Sequence, residues 1–413
     1  MGWSRAELGE APARAGGEGA EPLRVAVVGI SLSGTCGVRD HATLLTGALA
    51  ADGVSCSWHW LTREQSALAG ARSEIAGFVE QLRDELARER PAAVVLHYSV
   101  FAYSHKGLPL FVRPVFEALR ESGVPVLAVL HEFAYPWRYG GWRGAVWAVS
   151  QRAAMVEVMR VAATVLVTAD VRARWLSSRP WLAKRAVVVA PVYSNLPPPR
   201  ASSRESRDGR TVGLFGYSYQ GAALALILDA FADLTERGVA VRLRLLGAPG
   251  PQSPGGEAWR EQAQARGIAD ALSFSGALPA QELSDQLAAC EVLLFADAAG
   301  PSSRKGTLAG SLASGRPLVA LDGPMGWRAL IDAGAIIAVP PSARALADAV
   351  GGLLADESAR EELGERGLAF YRREMALERT AETVMGLLAG GGPAGSPAGE
   401  RRLRSGEVPP PAP

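Results

Sequence analysis

The sequence predicts an α/β protein of two Rossmann-like domains whose parallel sheets face a central cleft. Three observations predict it. Short runs rich in β-branched residues alternate with longer helical patterns along most of the chain. The runs are continuously apolar, as in AVVL at 93–96 and VLLF at 292–295, which suits strands covered on both faces rather than half-exposed ones. The series is interrupted once, by the polar stretch PPPRASSRESRDG at 197–209, and then restarts. A chain of 413 residues also exceeds the size at which a single core keeps growing.

Taken in order, residues 1–22 are rich in Ala, Gly and Glu and read as a disordered tail. The N-terminal domain spans 23–196, with strands at 24–28, 93–96, 126–130, 164–167 and 186–189. A linker occupies 197–210. The second domain spans 211–375, with strands at 211–215, 242–246, 272–274, 292–295, 317–321 and 336–339. One long helical segment at about 358–388 is expected to cross back to the first domain through its end, 376–389. Residues 390–413 are rich in Gly and Pro and read as a second disordered tail.

Composition excludes several classes. A net charge of +1 gives no electrostatic footprint for nucleic acid. Cys36, Cys56 and Cys290 have no paired metal spacing, and an odd count argues against a disulfide framework. The charged N-terminal stretch lacks the apolar core of a signal peptide, and no run reaches the ~20 apolar residues of a spanning helix. A cytoplasmic protein is expected. The segment 135–152 interleaves Trp137, Trp142 and Trp147 with Arg138, Arg143 and Arg152. Tryptophans five apart make no helical stripe, so it reads as a loop with its own packing; the alternative is a peripheral contact with an anionic membrane or a grip on a bulky acceptor.

The most informative stretch is GPSSRKGTLAGSLASGRPLVAL, 300–321. A strand leads into small residues that open a helix near Arg304. A helix N-terminus favours an anion through its unpaired N–H groups and dipole. Ser302, Ser303 and Thr307 add hydroxyls there, Gly306 adds accessible backbone, and Arg304 and Lys305 add charge. The chain has only three lysines (Lys106, Lys184, Lys305) against 40 arginines. The stretch reads as a phosphate-binding turn.

Other strand ends carry further candidates. The first strand leads into GISLSGTCGVRDH at 29–41, which places Gly34 and Gly37 in a turn and Arg39, Asp40 and His41 in the first helical turn. The turn is either a ligand-facing loop or a simple entry into the helix. It matches neither the dinucleotide fingerprint nor the NTPase loop, because Thr35 stands where a phosphate lysine is needed. His131 and Glu132 follow the strand at 126–130, where a ligand would lie. They could move or orient a proton, or His131 could cap the strand. His97 ends an earlier strand in the same way. In the second half, glycine-bearing strand ends at Gly216, Gly247 and Gly300 are expected to converge on one sheet edge, with Tyr217 and Gln220 beside the first.

On these residues the chain resembles the GT-B glycosyltransferases, in particular the family 4-like, group 1 enzymes, over about 23–388. The resemblance rests on the glycine loop at 34–37, His131, the Gly216 loop, Leu246 with Gly247, and the ASGRP helix end at 313–317. It implies a donor nucleotide site in the second domain, an acceptor site in the first, retention of anomeric configuration and no metal in the site. His131 would lie near the reacting sugar, and Gly34 and Gly37 near the donor diphosphate. Where the family has two glutamates eight positions apart, this chain has Ser302 and Gly310; the second normally holds the ribose hydroxyls. The family's Arg and Lys after the second domain's first strand are also missing. Arg304 and Lys305 offer replacement charge at a leaving diphosphate.

The expected activity is therefore transfer of a sugar from a nucleotide-diphosphate sugar, the co-substrate, with no other cofactor, to a glycan, lipid or small-molecule acceptor. His131, Glu132, Arg304 and Lys305 would be catalytic. Gly34, Gly37, Gly216, Gln220, Gly247, Ser302, Ser303, Gly306 and Thr307 would line the donor side, and His97, Arg39 and His41 the acceptor side. The alternatives are a catalytically degenerate relative that binds nucleotide or glycan as an assembly partner, and a sugar-nucleotide epimerase.

Overall fold

The computed structural model describes residues 22–33, 36–132, 134, 137, 141–205, 208–217 and 219–390. Gly34, Thr35, Arg138 and both expected tails, apart from Pro22 at one boundary and Gly390 at the other, lie outside them. The first sheet contains β1 (Arg24–Ser31), β2 (Ser55–Thr62), β3 (Ala93–Ser99), β4 (Val126–Glu132), β5 (Ala162–Val167) and β6 (Ala186–Val189). The second contains β7 (Thr211–Phe215), β8 (Arg242–Leu246), β9 (Leu272–Gly276), β10 (Val292–Phe295), β11 (Leu318–Leu321) and β12 (Ile337–Val339). Every pairing in both sheets is parallel. The strand orders are β2-β1-β3-β4-β5-β6 and β12-β11-β10-β7-β8-β9. Two doubly wound domains thus stand where the apolar runs placed them.

The helices between them are α1 (Gly37–Ala51), α2 (Leu68–Glu89), α3 (Val112–Glu121), α4 (Gly141–Val161), α5 (Asp170–Ser177), α6 (Ala201–Glu205), α7 (Gly221–Glu236), α8 (Pro254–Ala265), α9 (Ala280–Ala288), α10 (Gly306–Ala313), α11 (Arg328–Asp332), α12 (Ala343–Ala355), α13 (Glu357–Glu374) and α14 (Leu377–Leu388). They cover both faces of each sheet. β3, β10 and β11 are buried along their whole length, which is why they read as unbroken apolar runs.

Three expectations need correction. β2, SCSWHWLT, is absent from the expected strands: it is an edge strand of polar and aromatic residues, mostly part-exposed, so it lacks the aliphatic run of a central strand. Residues 141–152 are helix, not loop. Tryptophan spacing misleads there because the rings do different jobs: Trp147 packs directly over Gly107, whereas Trp142 stays 74% exposed. The long C-terminal segment is two helices, broken at Met375 and Ala376. The second helix does return to the first domain. Ala381 and Val384 of α14 join Leu45 and Leu49 of α1 and Val95, Leu127 and Val129 of the first sheet in one apolar cluster.

Candidate active site in the cleft

The carboxyl ends of β7, β8 and β10 lie side by side, as parallel pairing with β7 in the middle requires. Gly216 follows β7 with φ of 70°, a left-handed conformation that glycine adopts without steric cost. A Cβ on Gly216 would sit 3.2 Å from the Thr307 methyl, so this turn lies against the start of α10. That helix begins at Gly306, two residues later than expected, with Lys305 as its N-cap and no side-chain capping bond. Its first-turn N–H groups have no intrahelical acceptor. The Gly216 turn, Thr307 and the N-terminus of α10 therefore form one surface.

The polar residues of this turn divide into two kinds. Lys305 Nζ lies 2.8 Å from Asp297 Oδ2. Burial would raise the Asp297 pKa, but hydrogen bonds from Lys305 and the Ala299 N–H, with the charges of Lys305 and Arg304, outweigh it and hold it below its ordinary value. Lys305 is thus an anchored cation. Ser303 is buried, its Oγ donates to the Thr168 carbonyl at 2.8 Å, and its own carbonyl accepts from Val192 N–H at 2.8 Å. Its hydroxyl therefore joins the two domains through Thr168. Ser302 is buried and its carbonyl accepts from the Lys305 N–H. Arg304 is part-buried, and its Nε is enclosed without a hydrogen bond.

Across the cleft stands a residue that the sequence pattern does not single out. Arg172, in the first turn of α5, donates through Nη1 to the His131 carbonyl, and lies 3.3 Å from Thr168 Oγ1. Because Thr168 is also bonded to Ser303, Arg172 and Arg304 are brought close from opposite domains. Burial, then the Arg304 charge, lowers the Arg172 pKa to about 10, with Glu132 opposing. Two guanidinium charges near enough to disfavour one another in a part-buried cleft attract an anion. The only hint in the sequence is an Arg shortly after a strand end, too common a pattern to stand out.

On the first domain, the structure brings His41, His97 and His131 together. His97 Nδ1 lies 3.0 Å from His131 Nε2, and the His41 ring meets His131 edge-on with centroids 4.8 Å apart. Tyr193 stacks on His41 at 4.2 Å and donates its hydroxyl to the His41 carbonyl. Burial is the largest cause pushing all three imidazoles below their ordinary pKa. His131 falls to about 3, helped by Arg172, and His41 and His97 go well below 6.5, each disfavoured by neighbouring rings. All three are neutral at pH 7. Glu132, next along, is exposed.

The remaining candidates are more peripheral. Arg39 is part-exposed, Gly37 is exposed at the start of α1, and Gln220 is an exposed N-cap of α7 without a side-chain capping bond. Gly247 is buried, its N–H bonded to Ser275 Oγ. Tyr217 is a core residue, accepting from Gly250 N–H. At Gly310, a Cβ would lie 2.9 Å from the Phe215 ring. Phe215 therefore occupies the space into which a glutamate at 310 would project. A cavity of 780 Å3 lies away from the cleft: Thr211 and Arg242 line it at the amino ends of β7 and β8, the wrong edge for a ligand of a parallel sheet.

Comparison with known proteins agrees with this geometry. A family model described as glycosyl transferases group 1 matches residues 209–356. The second domain is a group 1 glycosyltransferase domain. The chain is similar in structure to sucrose-phosphate synthase from Thermosynechococcus elongatus, at 18% identity and a TM-score of 0.65, covering 89% of this chain and 98% of that one. It is also similar to Anabaena HepE in complex with UDP-glucose, at 14% identity and a TM-score of 0.63 over 88% and 99% of the two chains. WaaG, a glycosyltransferase involved in lipopolysaccharide biosynthesis, matches at 15% identity and 0.61 over 89% and 100%. At such identities these likenesses establish the GT-B fold. A direct comparison with curated protein sequences gives no match. Among the described residues, no helix of this glycosyltransferase-fold chain is long and apolar enough to cross a membrane.

Proposed function

We propose that the protein transfers a sugar from a nucleotide-diphosphate sugar to an acceptor bound against the first domain. The observation that carries this reading is the approach of Arg172 and Arg304 from the two domains at the N-terminus of α10, inside a group 1 glycosyltransferase domain. HepE, a protein of the same fold, has been seen with UDP and with UDP-glucose.

In this reading the donor diphosphate lies against the first-turn N–H groups of α10 and Thr307, with Gly216 allowing close approach. As the glycosidic bond breaks, the electron pair stays on the diphosphate oxygen, and the new negative charge faces Arg304 and Arg172. Cations fixed where charge develops stabilise the transition state more than the ground state. The protein's own cations meet the diphosphate, so this step needs no metal there. The acceptor oxygen attacks from the first domain's side as its proton passes to the leaving diphosphate oxygen, and retention is expected. Neutral His131, with its carbonyl held by Arg172, offers a ring nitrogen to a sugar or acceptor hydroxyl. Trp142, Val146 and Val149 give α4 an exposed apolar stripe, which supports a peripheral contact with a lipid surface.

The test is Arg304→Ala in the full chain. It should lower kcat/KM by about 100-fold or more, the scale of removing one transition-state donor, while UDP still raises the thermal midpoint. Undiminished turnover would overturn the assignment. Nucleotide-sugar binding without transfer across a broad acceptor panel would favour the degenerate reading, which the filled space at Gly310 supports.

A further inference from the structure

The chain has five histidines, and three of them meet at one point. His41 comes from the second turn of α1, His97 from β3 and His131 from β4. One ring nitrogen of each lies within 4.8 Å of the others. We propose that these three imidazoles form a binding site for one divalent transition-metal ion of the zinc class, on the first domain's wall of the cleft.

Geometry supports it first. Two nitrogens bound to one tetrahedral ion at about 2.0–2.1 Å are about 3.3 Å apart. His97 Nδ1 and His131 Nε2 are 3.0 Å apart, so these two rings already stand close to ligand spacing. A His41 ring nitrogen lies within 4.8 Å of theirs, so it closes on the ion by at most about 1.5 Å to reach tetrahedral spacing. Its backbone is fixed by Tyr193, whose ring also stacks on the imidazole.

The polar accounting supports it independently. A hydrogen bond between His97 and His131 uses one nitrogen of each and leaves His41 out. His41 Nδ1 and His97 Nε2 are both enclosed by protein with no hydrogen-bond partner, although the two residues are only 6% and 1% exposed. An enclosed polar atom without a partner costs about 1–3 kcal/mol, and such exceptions call for an explanation. An ion held through His97 Nδ1 and His131 Nε2 gives the His41 ring the partner it lacks, while His97 Nε2 stays enclosed as that ring's N–H.

The donor set selects the ion. Three neutral nitrogens suit zinc, copper, nickel or cobalt and are poor ligands for magnesium or calcium, which take oxygen. Three protein ligands leave a tetrahedral position open, and His131 is the part-exposed member facing the cleft. Water or an acceptor oxygen fits that position. Arg172 opposes a cation from the carbonyl side of His131, and Glu132 partly offsets it. The site lies across the cleft from the donor turn. It goes beyond the transferase reading, because loading requires no sugar nucleotide.

The experiment uses the full chain, stripped with a chelator and titrated with Co2+ and then Zn2+. The expected result is one equivalent of Co2+ with the intense visible bands of a tetrahedral site, displaced by Zn2+. His97→Gln and His41→Gln should each weaken Zn2+ binding by more than about 100-fold, beyond the range typical of outer-shell changes. His59→Gln should leave it unchanged, since His59 lies elsewhere, bonded to Glu85. Because the buried variants could lose their fold, X-ray absorption of the zinc-loaded wild type gives a second reading: three imidazole shells support the site. Sub-stoichiometric Co2+, a shell dominated by oxygen, or full binding by a folded His41→Gln/His97→Gln protein would overturn it. Thermal shift with UDP on the same stripped samples separates this outcome from the fate of the donor site.

Discussion

Arg304 and Lys305 are adjacent in sequence and differ in electrical role. Lys305 is tied to Asp297 at 2.8 Å, so it shapes the loop before α10, while the Arg304 charge acts on Arg172 of the other domain. The sequence could locate the charge but not divide it, because the division depends on an Asp eight positions upstream folding back. The histidines carry a pH prediction. In the unfolded chain each takes up a proton near pH 6.5; in the folded chain burial keeps it neutral until far lower, about 3 for His131. The unfolded state therefore binds more protons in that window. The stability from burying neutral rings is complete above about pH 6.5 and is lost as pH falls toward 3, at up to about 1.4 kcal/mol per pH unit for each ring. Thermal denaturation should show a falling midpoint between pH 7 and pH 5, with a shallower fall in His97→Gln. Equal midpoints at the two values would show that the rings are not buried neutral.

Among the elements, α10 shows how a motif position can survive while its chemistry changes. At Gly310, where the family resemblance would place a glutamate, the Phe215 ring closes the space. Replacing a helical glycine normally stabilises by about 1 kcal/mol, whereas forcing atoms into a packed space costs about 1–3 kcal/mol. The clash should win. Gly310→Glu is expected to lower stability in urea, and Phe215→Ala to relieve part of that loss in the double variant. A strictly additive cycle would contradict the contact. The same scale shows where pattern reading succeeds and fails. Central strands such as β3 and β10 announce themselves because both faces are covered. The edge strand β2 and the helix α4 do not, since their sequences answer to specific neighbours, such as Trp147 over Gly107 and Trp60 over Gly29.

At the scale of the whole molecule, a buried charge cluster ties together the sheet and helices of the second domain. Glu291, 2% exposed, lies before β10 and meets Arg316 of the helix-ending Gly-Arg-Pro at 3.7 Å and Arg360 of α13 at 3.4 Å. Its Oε1 also accepts from Gly209 N–H. Arg360 further donates to the carbonyls of Leu353 and Leu354. Removing one member of a buried ionic group costs about 3–5 kcal/mol, because the partners stay charged and enclosed. Glu291→Ala should lower the unfolding free energy by that much while leaving turnover per folded molecule unchanged; a loss under about 1 kcal/mol, the scale of an exposed pair, would show that water already reaches the cluster. The sequence by itself determined the two-sheet architecture, the return of the last helix and the existence of a helix opening beside Arg304 and Lys305. These depend on local periodicity, apolar runs and helix polarity, which adjacent residues carry. Only the tertiary structure decided that Ser303 bonds to Thr168, that the Arg304 charge acts on Arg172, and that His41, His97 and His131 share one point. Those contacts join residues far apart in the chain, and parallel pairing alone sets which strand ends become neighbours.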